Sequence, residues 1–419
     1  MYQAPRGTVD ILPAEQSYWF YIRQKAAQTC QLYGYERIDT PIFESTNLFS
    51  RSIGKTTDIV EKEMYSFIDK GGKQITLRPE GTAPVCRAYI QHGMQNKPQP
   101  VKLYYTTPVF RYERPQAGRY RQHHQFGYEA IGDNDPALDA EVIDMAWFFF
   151  ESLGLSKLTL LLNSIGCSKC RPEYLTSLRQ YYHSYRNKLC VDCKVRLDKN
   201  TLRLLDCKKE TCLPFAVTAP RSIDYLCHEC KEHFRLLGGY LQQLGLPFLV
   251  NHCLVRGLDY YTRTVFEIQP QVGGAQSTIG GGGRYDGLIE ELGGKSTPAL
   301  GFASGIERII LNLKKQSVVI PPIHQPQVFI AHTSDRVKNE VTKLASSLRR
   351  ASVGAFQTTS SKSLKAQLRQ ANNIGVRYVI IIGDEEIKTG AAILRNMTTG
   401  EQDIVSIAEL LDKLLCQLQ

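Results

Sequence analysis

Four arginines, Arg111, Arg114, Arg119 and Arg121, fall within eleven residues of the sequence, beside a run that carries His123, Gln125 and Glu129. Guanidinium groups so crowded suit a polyphosphate, because each offers a planar fork of donors that matches phosphate oxygens. The surrounding stretch, residues 102–132 (KLYYTTPVFRYERPQAGRYRQHHQFGYEAIG), reads as two β-rich runs joined by the charged loop 113–120. Pro and Gly punctuate that loop, so a hairpin is the natural geometry. Period-two alternation in the second run puts His123, Gln125, Gly127 and Glu129 on one face, and a glycine among polar groups leaves room for a ligand against the backbone. A half-buried sheet with a solvated side explains the alternation but not the arginines. The face reads as a ligand floor.

Other stretches carry weaker signals. A hairpin over 64–68 and 74–77, turning at Asp69-Lys70-Gly71-Gly72, delivers Arg78-Pro79-Glu80-Gly81-Thr82. The Glu80 carboxylate and Thr82 hydroxyl can together hold an ammonium group, although spacing alone favours a helix N-cap. Residues 254–268 (LVRGLDYYTRTVFEI) read as a strand too dense in charge and tyrosine for plain core. Residues 280–287 (GGGGRYDG) give close backbone access to a ligand, but such clusters are more often flexible turns, and neither a dinucleotide fingerprint nor a P-loop is present. A strand over 298–305 leads into a helix over 306–313, with Arg308 in its first turn. A cation there opposes the helix dipole and points to an anion nearby.

Eight of the twelve cysteines lie in pairs between 167 and 230: Cys167/Cys170, Cys190/Cys193, Cys207/Cys212 and Cys227/Cys230. A CxxC pair lets two thiolates reach one tetrahedral zinc, and two pairs complete a closed structural site, so one or two zinc ions are expected. Buried or free thiols are the plainer alternative. The segment 167–238 holds fourteen Lys or Arg against eight Asp or Glu, a net of +6 within a chain total of +10. It reads as a basic inserted domain with a marginal core of its own, the kind that needs a metal.

These residues must be positioned by a chain of 419 residues, 42% hydrophobic, long enough for two or three domains. No run of eighteen apolar residues occurs and no secretion signal opens the sequence, so a cytoplasmic protein without a membrane span is expected. The net positive charge favours a polyanionic partner, nucleic acid first. A helix is expected over 14–33, with the apolar Trp19, Phe20, Ile22, Ala26, Ala27 and Leu32 at mixed helical spacing and a stop at Gly34, then a strand over 35–43. Residues 136–153 should form a helix with a buried face of Val142, Ile143, Met145, Trp147, Phe148, Phe149 and Phe150. After a proline-rich linker at 321–326, strand-like and helical runs alternate up to 378–383, as in a small α/β domain whose last apolar run is a buried parallel strand.

Taken together, these stretches resemble the histidyl-tRNA synthetase family of class II aminoacyl-tRNA synthetases over essentially the whole chain. Residues 34–41 (GYERIDTP) look like motif 1, the dimer element; 109–129 look like motif 2; 300–308 look like motif 3; and 254–267 resemble the family's own histidine signature. The resemblance implies an α+β catalytic domain with an antiparallel sheet over 1–166 and 239–320, the Cys-rich insertion at 167–238, and an α/β anticodon-binding domain over 326–419. It implies a homodimer that takes L-histidine, ATP with magnesium, and tRNA(His).

By the same resemblance, Glu80, Thr82 and Gln125 hold the histidine α-amino group, and Glu129 and Tyr261, with Tyr260 beside it, bind the imidazole. Arg111 and Arg256 grip the α-phosphate as the catalytic pair, and Arg119 and Arg308 take the outer phosphates. Glu113 lies near the adenine, and His123 stands where an aromatic ring often stacks on it. Arg114 and Gln116 face the tRNA acceptor end. The adenylate pocket is expected outside the insertion, so that metal loss would weaken tRNA charging and spare histidine activation. The competing assignment is a histidine-binding regulatory subunit of ATP phosphoribosyltransferase, which usually lacks the C-terminal domain and erodes the phosphate-binding arginines. A zinc-ribbon RNA-binding protein would explain the cysteines and the charge but leave the pocket without a use.

Overall fold

Along Val101–Phe110 every second residue is buried, Val101, Leu103, Tyr105, Thr107 and Val109, as a strand must be when one face meets a core. It pairs antiparallel with Gln122–Ile131, from Val101 opposite Ile131 to Phe110 opposite Gln122, and the charged loop closes the hairpin. In this computed structural model, which describes residues 2–54, 57, 59–116, 118–271, 278–322, 326–358 and 362–418, the hairpin supplies the second and third strands of an eight-stranded sheet. The strand order is Glu36–Arg37, Val101–Phe110, Gln122–Ile131, Ala299–Gly305, Gly280–Arg284, Thr262–Pro270, Leu158–Ser164 and Phe248–Val250. The sheet is mixed, not purely antiparallel, because both edge strands pair in parallel. Each of those pairs is joined by a connection of more than sixty residues, and parallel neighbours need such a crossover.

One face of the sheet is covered by the helices Gln16–Leu32, Pro136–Ser152, His228–Gln243 and Ile306–Lys315, around Trp19, Ile22, Phe126, Phe149, Phe150 and Phe302. Pro136 opens its helix at the first position and the Asp135 carboxylate caps it, accepting from the Ala137 N–H at 2.8 Å. The buried stripes are narrower than the apolar runs. Phe20 and Leu32 face solvent, and Phe148 is 38% exposed, because neighbouring residues on a helix point about 100° apart and cannot all follow Phe149 and Phe150 inward.

Other expectations are corrected. Of residues 35–43 only the ends are strand, since Pro41 interrupts the run and the carbonyls of Thr40 and Pro41 turn to accept from buried Arg78. Phe43–Ser45 belongs instead to a separate three-stranded sheet with Tyr65–Ile68 and Gln74–Leu77. Residues 254–261 form a loop, and the strand begins at Thr262. Gly280–Arg284 is a fully buried strand rather than a flexible turn: a Cβ on Gly282 would stand 1.9 Å from the Gly301 carbonyl oxygen, so only glycine admits this neighbour. Arg284, also buried, pairs with Asp139 at 2.6 Å and donates to the carbonyls of Asp133 and Asp135, which fastens the Gly strand to the start of helix Pro136–Ser152.

The Cys-rich segment contributes helices Arg171–Ser184, Val191–Lys199 and Leu213–Val217, and its last helix, His228–Gln243, runs unbroken through residue 238. It does not rely on a core of its own. Tyr174, Leu178, Tyr182, Leu197 and Leu205 pack in one cluster with Tyr105, Val255 and Tyr260. The whole segment lies within the compact unit Met1–Pro321; the second unit is Pro322–Gln419.

That second unit has a five-stranded sheet in the order Ala355–Gln357, Val328–His332, Tyr378–Ile382, Ala391–Asn396 and Gln402–Ser406. Tyr378–Ile382 is buried at every position and parallel to Val328–His332, as its apolar run implied. Residues 323–325 of the linker and Ala117 of the charged loop lie outside the described residues. No helix among the described residues is long and apolar enough to cross a membrane.

Candidate active site

Glu129 is ringed by hydroxyl groups. Only 1% exposed, it accepts from the Thr82 hydroxyl at 2.8 Å and the Tyr105 hydroxyl at 3.0 Å on one oxygen, and from the Tyr285 hydroxyl at 2.6 Å on the other. Burial pushes its carboxyl up to about 8, against the three hydroxyl donors and with a push from neighbouring Glu80. Glu80, also buried, accepts from the backbone N–H groups of Thr82 and Ala83 at 2.6 and 2.9 Å, so the helix-cap reading holds. A carboxylate has further lone pairs, and this one can still receive an ammonium group. Gly301 across the sheet leaves Glu129 its space: a Cβ there would stand 1.8 Å from Glu129 Oε2. Gly301→Ala is therefore expected to displace Glu129 and remove any activity that depends on it, with the fold retained by circular dichroism; activity within threefold of wild type would contradict that.

Beside this socket stand the arginines. Arg111 is held by the Pro79 carbonyl at 2.8 Å. Glu113 lies between Arg111 and Arg119, 3.9 and 3.5 Å away. Arg256 pairs with Glu267, which also accepts from Thr278 at 2.8 Å, and its guanidinium lies over the Tyr261 ring at 5.8 Å. Arg308 donates to the carbonyls of Gly118 and Thr278 at 3.2 and 3.0 Å. The preceding residue, Glu307, receives the His124 backbone N–H at 3.0 Å and meets the His124 ring at 2.9 Å. Burial and then the Arg119 charge hold the Arg308 guanidinium below its ordinary range, so the cations here are crowded before any anion arrives. Burial drives His123 down to about 3, which leaves a neutral ring. Arg256 Nε, His123 Nδ1 and Gln125 Oε1 are buried without a hydrogen-bond partner among the described residues, three polar atoms in one cavity that a ligand would satisfy.

Glu80, Thr82, Arg111, Glu113, Arg119, His123, Gln125, Glu129, Arg256, Tyr260, Tyr261 and Arg308 all line this single cavity of about 630 Å³, the size of a cofactor or substrate site. Arg114 and Gln116 are exposed and outside its wall. Arg121 is outside it too, its guanidinium 3.7 Å from the centre of the Tyr112 ring. Tyr105, Tyr285 and Glu267 were missed. Tyr105 had a signal, a hydroxyl on the buried parity of its strand; the other two meet the site only through folding. The insertion also supplies wall, with Arg196, Arg203, Lys208 and Lys209 at the cavity, so the pocket is not built outside it as expected.

A protein-family model described as Histidyl-tRNA synthetase matches residues 7–169 and 212–309, and one described as Anticodon binding domain matches 317–417. A curated histidine--tRNA ligase of Dehalococcoides mccartyi strain 195 is 60% identical over all 419 residues, covering 100% of this chain and 99% of its own. The chain belongs to the histidyl-tRNA synthetase family. As a member of that family it is an aminoacyl-tRNA synthetase, a ligase. The histidine--tRNA ligase of Desulforamulus reducens is 51% identical over 97% of each chain. The crystal structure of apo S. aureus histidyl-tRNA synthetase is 40% identical, covers 99% of both chains and superposes with a TM-score of 0.84.

Proposed function

We propose that the cavity joins L-histidine to ATP, releasing pyrophosphate, and then passes the histidyl group to the 3′ end of tRNA(His). The observation that carries this reading is the juxtaposition of the buried Glu129 socket with Arg111, Arg256 and Arg308 in one cavity. Glu129 and Tyr261 engage the two imidazole nitrogens with Tyr260 packed beside them, while Glu80, Thr82 and Gln125 take the α-amino group. The substrate carboxylate then attacks the α-phosphorus in line, the bond to the β-phosphate oxygen breaks, and pyrophosphate leaves. No proton acceptor is needed, since the nucleophile is already an anion. Arg111 and Arg256 stabilise charge growing on the α-phosphate oxygens, a preorganised role in which fixed cations lower the barrier. Arg119 and Arg308 hold the departing phosphates, Glu113 lies near the adenine, and His123, neutral, offers its ring face to it. Magnesium, which travels with ATP and shields its phosphates, has a carboxylate oxygen donor of the type it takes in Glu267.

A ribose hydroxyl of the tRNA terminus next attacks the histidyl carbonyl and AMP departs. Arg114 and Gln116, exposed beyond the cavity, face that terminus, and the unit from residue 322 binds the anticodon. The eight paired cysteines hold zinc in a structural capacity. The protein works in the cytoplasm as a homodimer, for which the solvent-facing Leu32, Ile42 and Phe43 around motif 1 provide apolar surface. A histidine-binding regulatory subunit would have no use for four intact phosphate-facing arginines.

Pyrophosphate exchange with each of the twenty amino acids tests the reading. Histidine alone is expected to support it, because an analogue lacking either ring nitrogen would leave a buried polar group unpaired. Comparable exchange with another amino acid, or none with histidine, would overturn it.

A further inference from the structure

The eight paired cysteines form two separate groups. Cys167, Cys170, Cys227 and Cys230 meet at the root of the insertion, and Cys190, Cys193, Cys207 and Cys212 near its tip, with the sulfurs of each group all within 4.8 Å of one another. At the root, Cys167 Sγ is 3.7 Å from Cys170 Sγ and 3.9 Å from Cys227 Sγ, and Cys170 Sγ is 3.9 Å from Cys230 Sγ; at the tip, Cys190 Sγ is 4.0 Å from Cys207 Sγ. Four sulfurs placed tetrahedrally at a zinc–sulfur distance of about 2.3 Å stand about 3.8 Å apart. A disulfide would need about 2.05 Å, and all eight are free thiols. Backbone donors already point at the sulfurs, the Cys167 N–H at Cys170 Sγ (3.3 Å) and the Cys190 N–H at Cys212 Sγ (3.4 Å), as they do where thiolate charge is to be stabilised. A donor set of sulfur alone excludes magnesium and calcium, and a four-thiolate cage is closed to substrate.

Both groups are wired to the same loop. Arg171, directly after Cys170, donates to the Tyr261 carbonyl at 2.5 Å as well as to those of Gly166 and Ile165. From the tip, the helix Val191–Lys199 that carries Cys193 runs into Asn200, whose amide donates to Asp259 at 2.8 Å, while Lys199 pairs with Glu61 at 2.7 Å. Residues 254–261 form neither strand nor helix, so their shape depends on such outside contacts.

We propose that the insertion holds two zinc ions, each on four thiolates, and that through the positioning residues Arg171 and Asn200 it fixes the loop bearing Arg256, Tyr260 and Tyr261 in the pocket. Zinc would then govern histidine activation itself, in the absence of any tRNA. This second half rests on the reading of the pocket as a histidine-activating site.

The test begins with metal content of full-length protein purified without affinity metals. Two zincs per chain are expected, one in Cys190→Ser/Cys193→Ser and one in Cys167→Ser/Cys170→Ser; fewer than two in the wild type, or iron in place of zinc, would overturn the sites. Pyrophosphate exchange without tRNA follows. Chelated wild type should lose at least tenfold in kcat/KM for histidine and regain it with zinc. Arg171→Met, which keeps every cysteine and so does not depend on a metal-free fold, should retain two zincs yet raise the KM for histidine about tenfold and that for ATP less, with partial rescue in Arg171→Lys. Wild-type histidine kcat/KM in both chelated protein and Arg171→Met would overturn the coupling. A wild type that exchanges no pyrophosphate with histidine would instead sink the functional reading and the coupling with it, while the zinc count would stand.

Discussion

Glu129→Gln should lose histidine activation and, at alkaline pH, gain stability. The carboxyl titrates near 8 in the fold because it is buried, against an ordinary value near 4.5, so the folded protein holds a proton that the unfolded chain has already released. Stability therefore falls as pH rises from about 4.5 through 8 and stays low above that, where the buried charge costs on the order of 5 kcal/mol. A neutral amide of the same shape escapes the penalty. The melting temperatures of wild type and variant should nearly coincide at pH 5, and the variant should melt several degrees higher at pH 9.

The amide also puts an NH2 donor where the carboxyl can offer an oxygen acceptor to the imidazole N–H. A buried hydrogen-bonding group left unpaired costs about 1–3 kcal/mol, so kcat/KM for histidine in pyrophosphate exchange should fall about five- to a hundred-and-fiftyfold. The two halves share one cause, and each can fail alone. A pH-independent difference in melting temperature would mean that Glu129 ionises normally; near-normal exchange would mean that it does not read the substrate.

Arg256→Ala should fold and still lose most of its adenylation. The guanidinium stands among the cavity residues with its Nε unpartnered and its far end held by Glu267. Its charge is felt most strongly when the α-phosphate reaches its transition state, and the loss of one such stabiliser costs on the order of 3 kcal/mol, a hundredfold or more in rate. Glu267 keeps its bond from Thr278, so the removal does not leave that carboxylate bare. Single-turnover adenylation measures the step directly. A rate equal to wild type would remove Arg256 from the chemistry.

What the sequence determined by itself is what depends on neighbours along the chain. The parity that brings His123, Gln125 and Glu129 onto one strand face follows from the two-residue repeat of a pleated backbone, and the loop between the two runs follows from Pro115 and Gly118. The Asp135 cap, the buried run at 378–382 and the cysteine pairs are equally local, and the residues that the resemblance assigned to histidine and ATP, though not Arg114 and Gln116, fall on positions that meet in one cavity. The tertiary structure decided whatever is set by approach from elsewhere. Glu129 is tuned by Tyr105 and Tyr285, 24 and 156 positions away, and no spacing rule links them. Residues 280–284 look like a flexible turn until the strands on either side come too close for any Cβ. Residues 254–261 have the composition of a strand, yet burial of their side chains in the pocket and contacts from Arg171 and Asn200 hold them as a loop. The insertion reads as a separate domain by charge and cysteine content, whereas its apolar side chains join the catalytic core and its basic ones the cavity wall. Periodicity records which side of an element is buried; only packing records what it is buried against, because that contact is made by residues far apart in the chain.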